Sequence, residues 1–134
     1  MSKANGAEND VLKMILQGTD PAYRAGANLY LALFTADPGE AGSIGDEATY
    51  TSYARVVLPK ASSWTDAGST FSNANLIQFP QCTGGSNLIT HVAVITTASG
   101  AGQILYKGGL NSSLTVTNLI QPQFSIAALS ISED

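Results

Sequence analysis

The chain has 134 residues, a net charge of −4 with six basic residues against ten acidic ones, one cysteine and one histidine. This length suits a single domain with a core that needs no covalent staples. The composition argues against three classes: a zinc site of Cys and His ligands from one chain, a nucleic-acid binder relying on Lys and Arg, and a membrane protein crossing by helices of ~20 apolar residues.

The opening M-S-K-A-N-G-A-E-N-D has no long apolar run behind a basic segment, so no secretory signal is expected. The lone Cys82 cannot form an internal disulfide and fits synthesis in a reducing cytoplasm. It reads as a small inert residue. Residues 1–18 form a helical segment. Asn5 and Glu8 have the spacing of a capping box, with Asn9 or Asp10 as alternative caps. Val11, Leu12, Ile15 and Leu16 recur at helical spacing as one apolar stripe, and Gly18 is placed to end the helix. So short a helix must dock, either on its own sheet or on a neighbouring subunit. Those four residues are therefore the candidate interface residues.

After a connector at 19–27, Asn28–Thr35 reads N-L-Y-L-A-L-F-T. Alternation puts Leu29, Leu31 and Leu33 on one face and Tyr30, Ala32 and Phe34 on the other. Both faces are apolar, so this strand is expected to be covered on both sides. A turn-rich loop follows from Ala36 to about Tyr50 and carries Asp37, Glu40, Asp46 and Glu47. It lacks the EF-hand pattern, so a solvated acidic loop is expected instead of a calcium site.

Residues 50–59 read as a strand stopped by Pro59. Arg55 within it is expected to pair with a loop carboxylate. Residues 60–75 read as a polar connection. Its Trp64 is taken as a core plug, with an interface anchor as the alternative. Leu76–Pro80 is a short strand, and 84–87 a turn. Leu88–Thr97 is a buried strand rich in β-branched residues, and Gln103–Lys107 is its hairpin partner. Gly108-Gly109 is expected to end that strand, and Ser113–Thr117 to form another. Phe124–Ser132 is a last strand whose alternation slips at Ala127-Ala128. The sum is an all-β, β-sandwich or jelly-roll-like domain (19–134) of about seven strands behind one short N-terminal helix (1–18).

No pattern of catalytic residues emerges. His91 lies among apolar residues, and no G-x-S-x-G elbow, P-loop or G-x-G-x-x-G occurs. No separation is fixed for a pair of catalytic carboxylates. No enzyme activity, cofactor or metal is expected. Charge is unevenly distributed: from Ala67 to Ser132 the only formally charged residue is Lys107. A surface so poor in charge fits packing against other subunits.

The order of segments resembles small virion proteins of tailed bacteriophages, commonly described as tail fibre proteins. The resemblance rests on L-Y-L-A-L-F-T-A-D-P, Y-A-R-V, N-A-N-L-I-Q-F-P, I-T-H-V-A-V-I-T-T-A-S-G, I-L-Y-K-G-G-L and F-S-I-A-A-L-S-I-S, between about Leu12 and Ile131. It implies a non-enzymatic building block of the virion, made in the host cytoplasm. The first expectation is a capsid decoration or cement protein, a homo-oligomer such as a trimer, bound to the major capsid protein. The second is a tail-fibre or tail-tip component. A carbohydrate-binding module using Trp64, Tyr50 or Tyr53 is a third.

Overall fold

The computed structural model describes residues 1–133. Strand β1 (Ser2–Lys3) leads directly into helix α1 (Asn5–Gln17). The remaining strands are β2 (Asn28–Phe34), β3 (Val56–Pro59), β4 (Trp64–Asp66), β5 (Thr70–Asn73), β6 (Ile77–Gln78), β7 (Asn87–Ile95), β8 (Ile104–Val116), β9 (Gln123–Phe124) and β10 (Ser130–Ser132). The main sheet is antiparallel, in the order β1-β8-β7-β2-β3. A three-stranded sheet, β10-β5-β4, and a ribbon of β6 and β9 complete the sandwich. The expected all-β sandwich with one N-terminal helix is what forms.

Strand β2 is covered on both faces, as its two apolar faces require. Leu31 and Leu33 enter a core with Val92 and Val94 of β7, closed by Ile77, Phe79 and Leu129 from the smaller sheets and the segments beside them. Ala32 and Phe34 enter a second cluster with Ala93, Ile95, Ile104 and Ala4. A run of aromatic rings crosses the first core. Tyr50 meets Tyr53 edge-on at 5.4 Å, Tyr53 stacks on Phe79 at 6.4 Å, and Phe79 meets Phe124 edge-on at 6.2 Å.

Five expectations about elements are corrected. Helix α1 is capped at Ala4, without a side-chain bond, and Asn5 lies in the first turn. The sheet sets this point: the Ala4 N–H is held by the Leu105 carbonyl at 2.9 Å, so the helix starts where β1 leaves the sheet. Gly18 does end it, at φ 65°. The strand expected over 50–59 shrinks to β3, because Tyr50 turns inward and donates its hydroxyl to the Pro80 carbonyl at 2.8 Å. The polar stretch 60–75 contains the β4–β5 hairpin, whose turn is fixed by the Gly68 N–H on Asp66 Oδ1 at 2.8 Å. Strand β8 continues through Gly108-Gly109, which pair with Val92 and His91.

The last correction concerns the C-terminal strand, which divides into β9 and β10 around buried Asn73. Its amide donates to the carbonyls of Asn75 and Ser125, both at 2.9 Å, and its Oδ1 accepts the Leu129 N–H at 2.9 Å. Its backbone carbonyl takes the Ala127 N–H, and Ala127 adopts φ 63°. The slip in alternation at Ala127-Ala128 is thus a turn wrapped around one asparagine.

The acidic loop is tied down at both ends. Arg55, with a side chain only 2% exposed, grips Glu47 through Nε–Oε1 and Nη2–Oε2 contacts of 2.7 Å each. Nη1 donates to Thr97 O and Oγ1 at 2.9 Å, and Nη2 to Gly100 O at 2.8 Å. The bonded Glu47 carboxylate holds the Arg55 pKa above its ordinary value. Lys107 meets Asp37 Oδ1 and Glu40 Oε1, each at 3.1 Å. Burial works against its charge, but those hydrogen bonds win and its pKa is raised. Three of the four loop carboxylates are therefore ion-paired rather than merely solvated.

Glu47→Ala would leave Arg55 buried without a counter-charge and is expected to cost about 3–5 kcal/mol in chemical denaturation; a loss below about 1 kcal/mol would contradict this account. Asn73→Ala strips partners from three backbone groups and should cost at least about 2 kcal/mol, whereas a neutral substitution would remove Asn73 from the role given to it. Burial raises the pKa values of Tyr50 and Tyr106 to about 12, with Glu133 adding to the shift at Tyr106, and pushes Tyr53 up as well. Unfolded tyrosine ionises near 10. This stability is therefore complete below pH 10 and lost as pH rises through about 12. Tyrosinate absorbance and circular dichroism should change together on alkaline titration, and ionisation of these rings near pH 10 in a folded chain would be the contrary result.

Candidate interaction surface

The four candidate interface residues on α1 do not stay together. Ala7 is buried, and Asp10, Val11 and Met14 are half-buried. Their spacing marks the face that docks on the chain's own sheet. Asp10 Oδ2 accepts from Gln103 Nε2 at 2.8 Å, beside the start of β8. Under the helix lies a cleft of about 270 Å³, lined by Val11 and Met14 from above and by Tyr23, Leu29, Leu105 and Tyr106 from below. Burial, with Asp10 beside it, raises the Tyr23 hydroxyl to about 12.

The rest of the stripe faces outward. Leu12 is 57% exposed, Ile15 70% and Leu16 75%. Docking on the chain's own sheet falls to Val11, while Leu12, Ile15 and Leu16 stay uncovered among the described residues. The residues missed by the sequence reading are Ala7 and Met14. The signal lay in the 7-11-14 spacing, which competes with the bulkier 12-15-16 set.

Other candidate groups have structural roles. His91 is half-buried, with Nδ1 2.8 Å from Thr90 Oγ1. Cys82 is fully buried and donates to the Gly84 carbonyl at 3.1 Å. Among the described residues, no three of His, Cys, Asp and Glu cluster closely enough to hold a metal ion. No described helix is long and apolar enough to cross a membrane.

Two of the three aromatic candidates for a sugar platform are spent inside. Tyr50 is 3% exposed. Tyr53 donates to Glu47 Oε1 at 2.8 Å and accepts the Leu33 N–H at 3.1 Å. Trp64 is half-buried: it packs against the edge of the first core and also lines an open cleft of about 290 Å³ with Phe71, Tyr106 and Ile131.

The described residues thus combine a β-sandwich, His91 and Cys82 engaged in structure, and an apolar helix face left open. Comparison with curated proteins finds no match. A family model does match, over residues 2–132. The chain belongs to the family of the podophage GP4 fiber I protein gp80, a family of phage structural fibre proteins.

Proposed function

We propose that the chain is a non-enzymatic, fibre-type subunit on the exterior of a tailed-phage virion, anchored to a neighbouring virion protein through the outer face of α1. The observation that carries this reading is the exposure of Leu12, Ile15 and Leu16 on a helix whose other face already holds it to the sheet. An amphipathic helix laid in an apolar groove is a recurrent mode of attachment. Burying three such side chains supplies roughly 5–9 kcal/mol before the costs of association.

The competing position is the capsid surface, as a decoration or cement protein on the major capsid protein. Its support is the shape: one compact sandwich with a surface poor in charge. The family description supports the fibre position, and we favour it.

Quantitative mass spectrometry of purified virions separates the two. The fibre reading expects a copy number that is a small fraction of that of the major capsid protein; near-equal copies would transfer the protein to the shell. The anchor is tested by Leu12→Asp, Ile15→Asp and Leu16→Asp combined. Because these positions are exposed, stability should change by no more than about 0.5 kcal/mol per site. Incorporation into particles should fall at least about tenfold, a loss of about 1.4 kcal/mol in binding. Normal incorporation of the triple variant would sink the anchor.

A further inference from the structure

The space between the two larger sheets is not filled at one end. On the main sheet Leu31, Val94 and Tyr106 lie in register, and Leu29 shares their face by alternation. On the smaller sheet Asp66 and Ile131 both pair with Phe71, and alternation puts Trp64 on that face as well. These facing side chains leave a cleft of about 290 Å³, with buried Val94 at its floor. Tyr50, Tyr53, Phe79 and Phe124 pair with one another inside the first core. Among the described residues, the three rings on this cleft pair with no other ring. Trp64 and Tyr106 are half-buried there, and Phe71 is 40% exposed.

The rim carries one fixed acceptor. Glu133 Oε1 accepts the Tyr106 hydroxyl at 3.0 Å, and Oε2 meets Lys3 Nζ at 2.7 Å. The Glu133 N–H bonds the Ser69 carbonyl at 2.9 Å, so the backbone holds the carboxylate in place. Lys3 and then Tyr106 keep its pKa below the ordinary carboxylate value, and it remains an acceptor at neutral pH. A carboxylate has about four lone-pair sites, so roughly two are left for a ligand. We propose that this cleft binds one neutral pyranose ring of a glycan, with its C–H face against the aromatic walls and its hydroxyls toward Glu133.

The argument for a sugar, over other occupants, is chemical. A pyranose is apolar on its C–H face and rich in donors at its edge. Its weakly positive C–H groups suit the negative face of an aromatic ring. A purely aliphatic group, such as a side chain from a neighbouring protein, would cover Glu133 and leave its free lone pairs without donors. An ionic ligand gains little, because Lys3 already balances the charge of Glu133. The volume lies at the lower end of the range for small-molecule sites, roughly 300–1,000 Å³, which suits one ring.

The cleft is separate from the anchor. It shares Leu29 and Tyr106 with the cleft under α1, but Leu12, Ile15 and Leu16 line neither. A bound sugar therefore leaves the outer face of the helix uncovered. This inference stands whether or not the anchor does.

The test is a titration of the purified full chain with the methyl glycosides of glucose, galactose, mannose, rhamnose and N-acetylglucosamine. Trp64 is the only tryptophan, so its fluorescence reports on this cleft. At least one sugar should give a saturable blue shift, with a Kd of about 0.1–10 mM. Phe71→Ala removes a wall and Glu133→Ala removes the acceptor. Each should weaken that binding more than about tenfold, with circular dichroism unchanged because both side chains are well exposed. Cyclohexanol, a similar ring with one hydroxyl, should also bind at least about tenfold more weakly. A panel that gives no saturable response overturns the proposal, as does a response that survives both substitutions. Cyclohexanol binding as tightly as the best sugar would reduce the cleft to a plain apolar pocket and overturn it too. A wild type silent to every sugar, whose Phe71→Ala variant fails to enter virions, would assign the cleft to a neighbouring protein and overturn it equally. Failure of the anchor shows separately, as normal incorporation of the α1 variant.

Discussion

Five N–H groups of one guanidinium hold the least regular part of this fold. Arg55 gives two to Glu47, two to Thr97 and one to Gly100. A buried arginine is tolerable only when every donor is met and a carboxylate balances the charge, and here both conditions are satisfied by segments distant in sequence. The long loop from Ala36 cannot drift, because Glu47 is fixed. The turn between β7 and β8 cannot drift either, because Thr97 and Gly100 are fixed. Segment 46–48 then runs beside the end of β2, with the Thr35 N–H on the Asp46 carbonyl and the Ala48 N–H on the Leu33 carbonyl. A loop that reads as solvent-exposed becomes an extension of the main sheet.

Lys107 makes the same point from the other half of the chain. It is the one formal charge between Ala67 and Ser132, and it is spent inward on Asp37 and Glu40. The Gly39 N–H and then Lys107 hold the Asp37 pKa below its ordinary value. The outer surface built by residues 67–132 is left uncharged. That surface differs from an ordinary soluble one because the single cation available to it serves the fold.

What was legible in the sequence depended on how local the cause was. Strand β2 was readable because alternation on both faces is a property of seven consecutive residues. The partner of Arg55 was readable because the acids lay within a few residues of it. Strand β8 was misread because Gly108-Gly109 looks like a break. In the fold Gly108 makes space instead: a Cβ there would sit 2.8 Å from Met1 Cγ and 3.4 Å from Met1 Cα, where the N-terminus packs beside β8. The turn at Ala127-Ala128 left a trace as the slip in alternation, but its cause did not, since Asn73 holds Ser125 and Leu129 from 52 and 56 residues away. The β4–β5 hairpin did leave one, in the Asp66-Ala67-Gly68 turn, masked by the polarity of an outer sheet. On α1 the apolar stripe was visible, but its division between core and solvent depended on where the sheet releases Ala4.

One helix presenting three side chains would by itself be a weak anchor, because association costs take back much of what their burial supplies. Weak anchors hold firmly when several are joined, since each attachment raises the effective concentration of the next. On the proposed reading the exposed half of α1 is the attachment, and the sandwich that the Arg55 and Lys107 ties hold together is the rigid body it attaches.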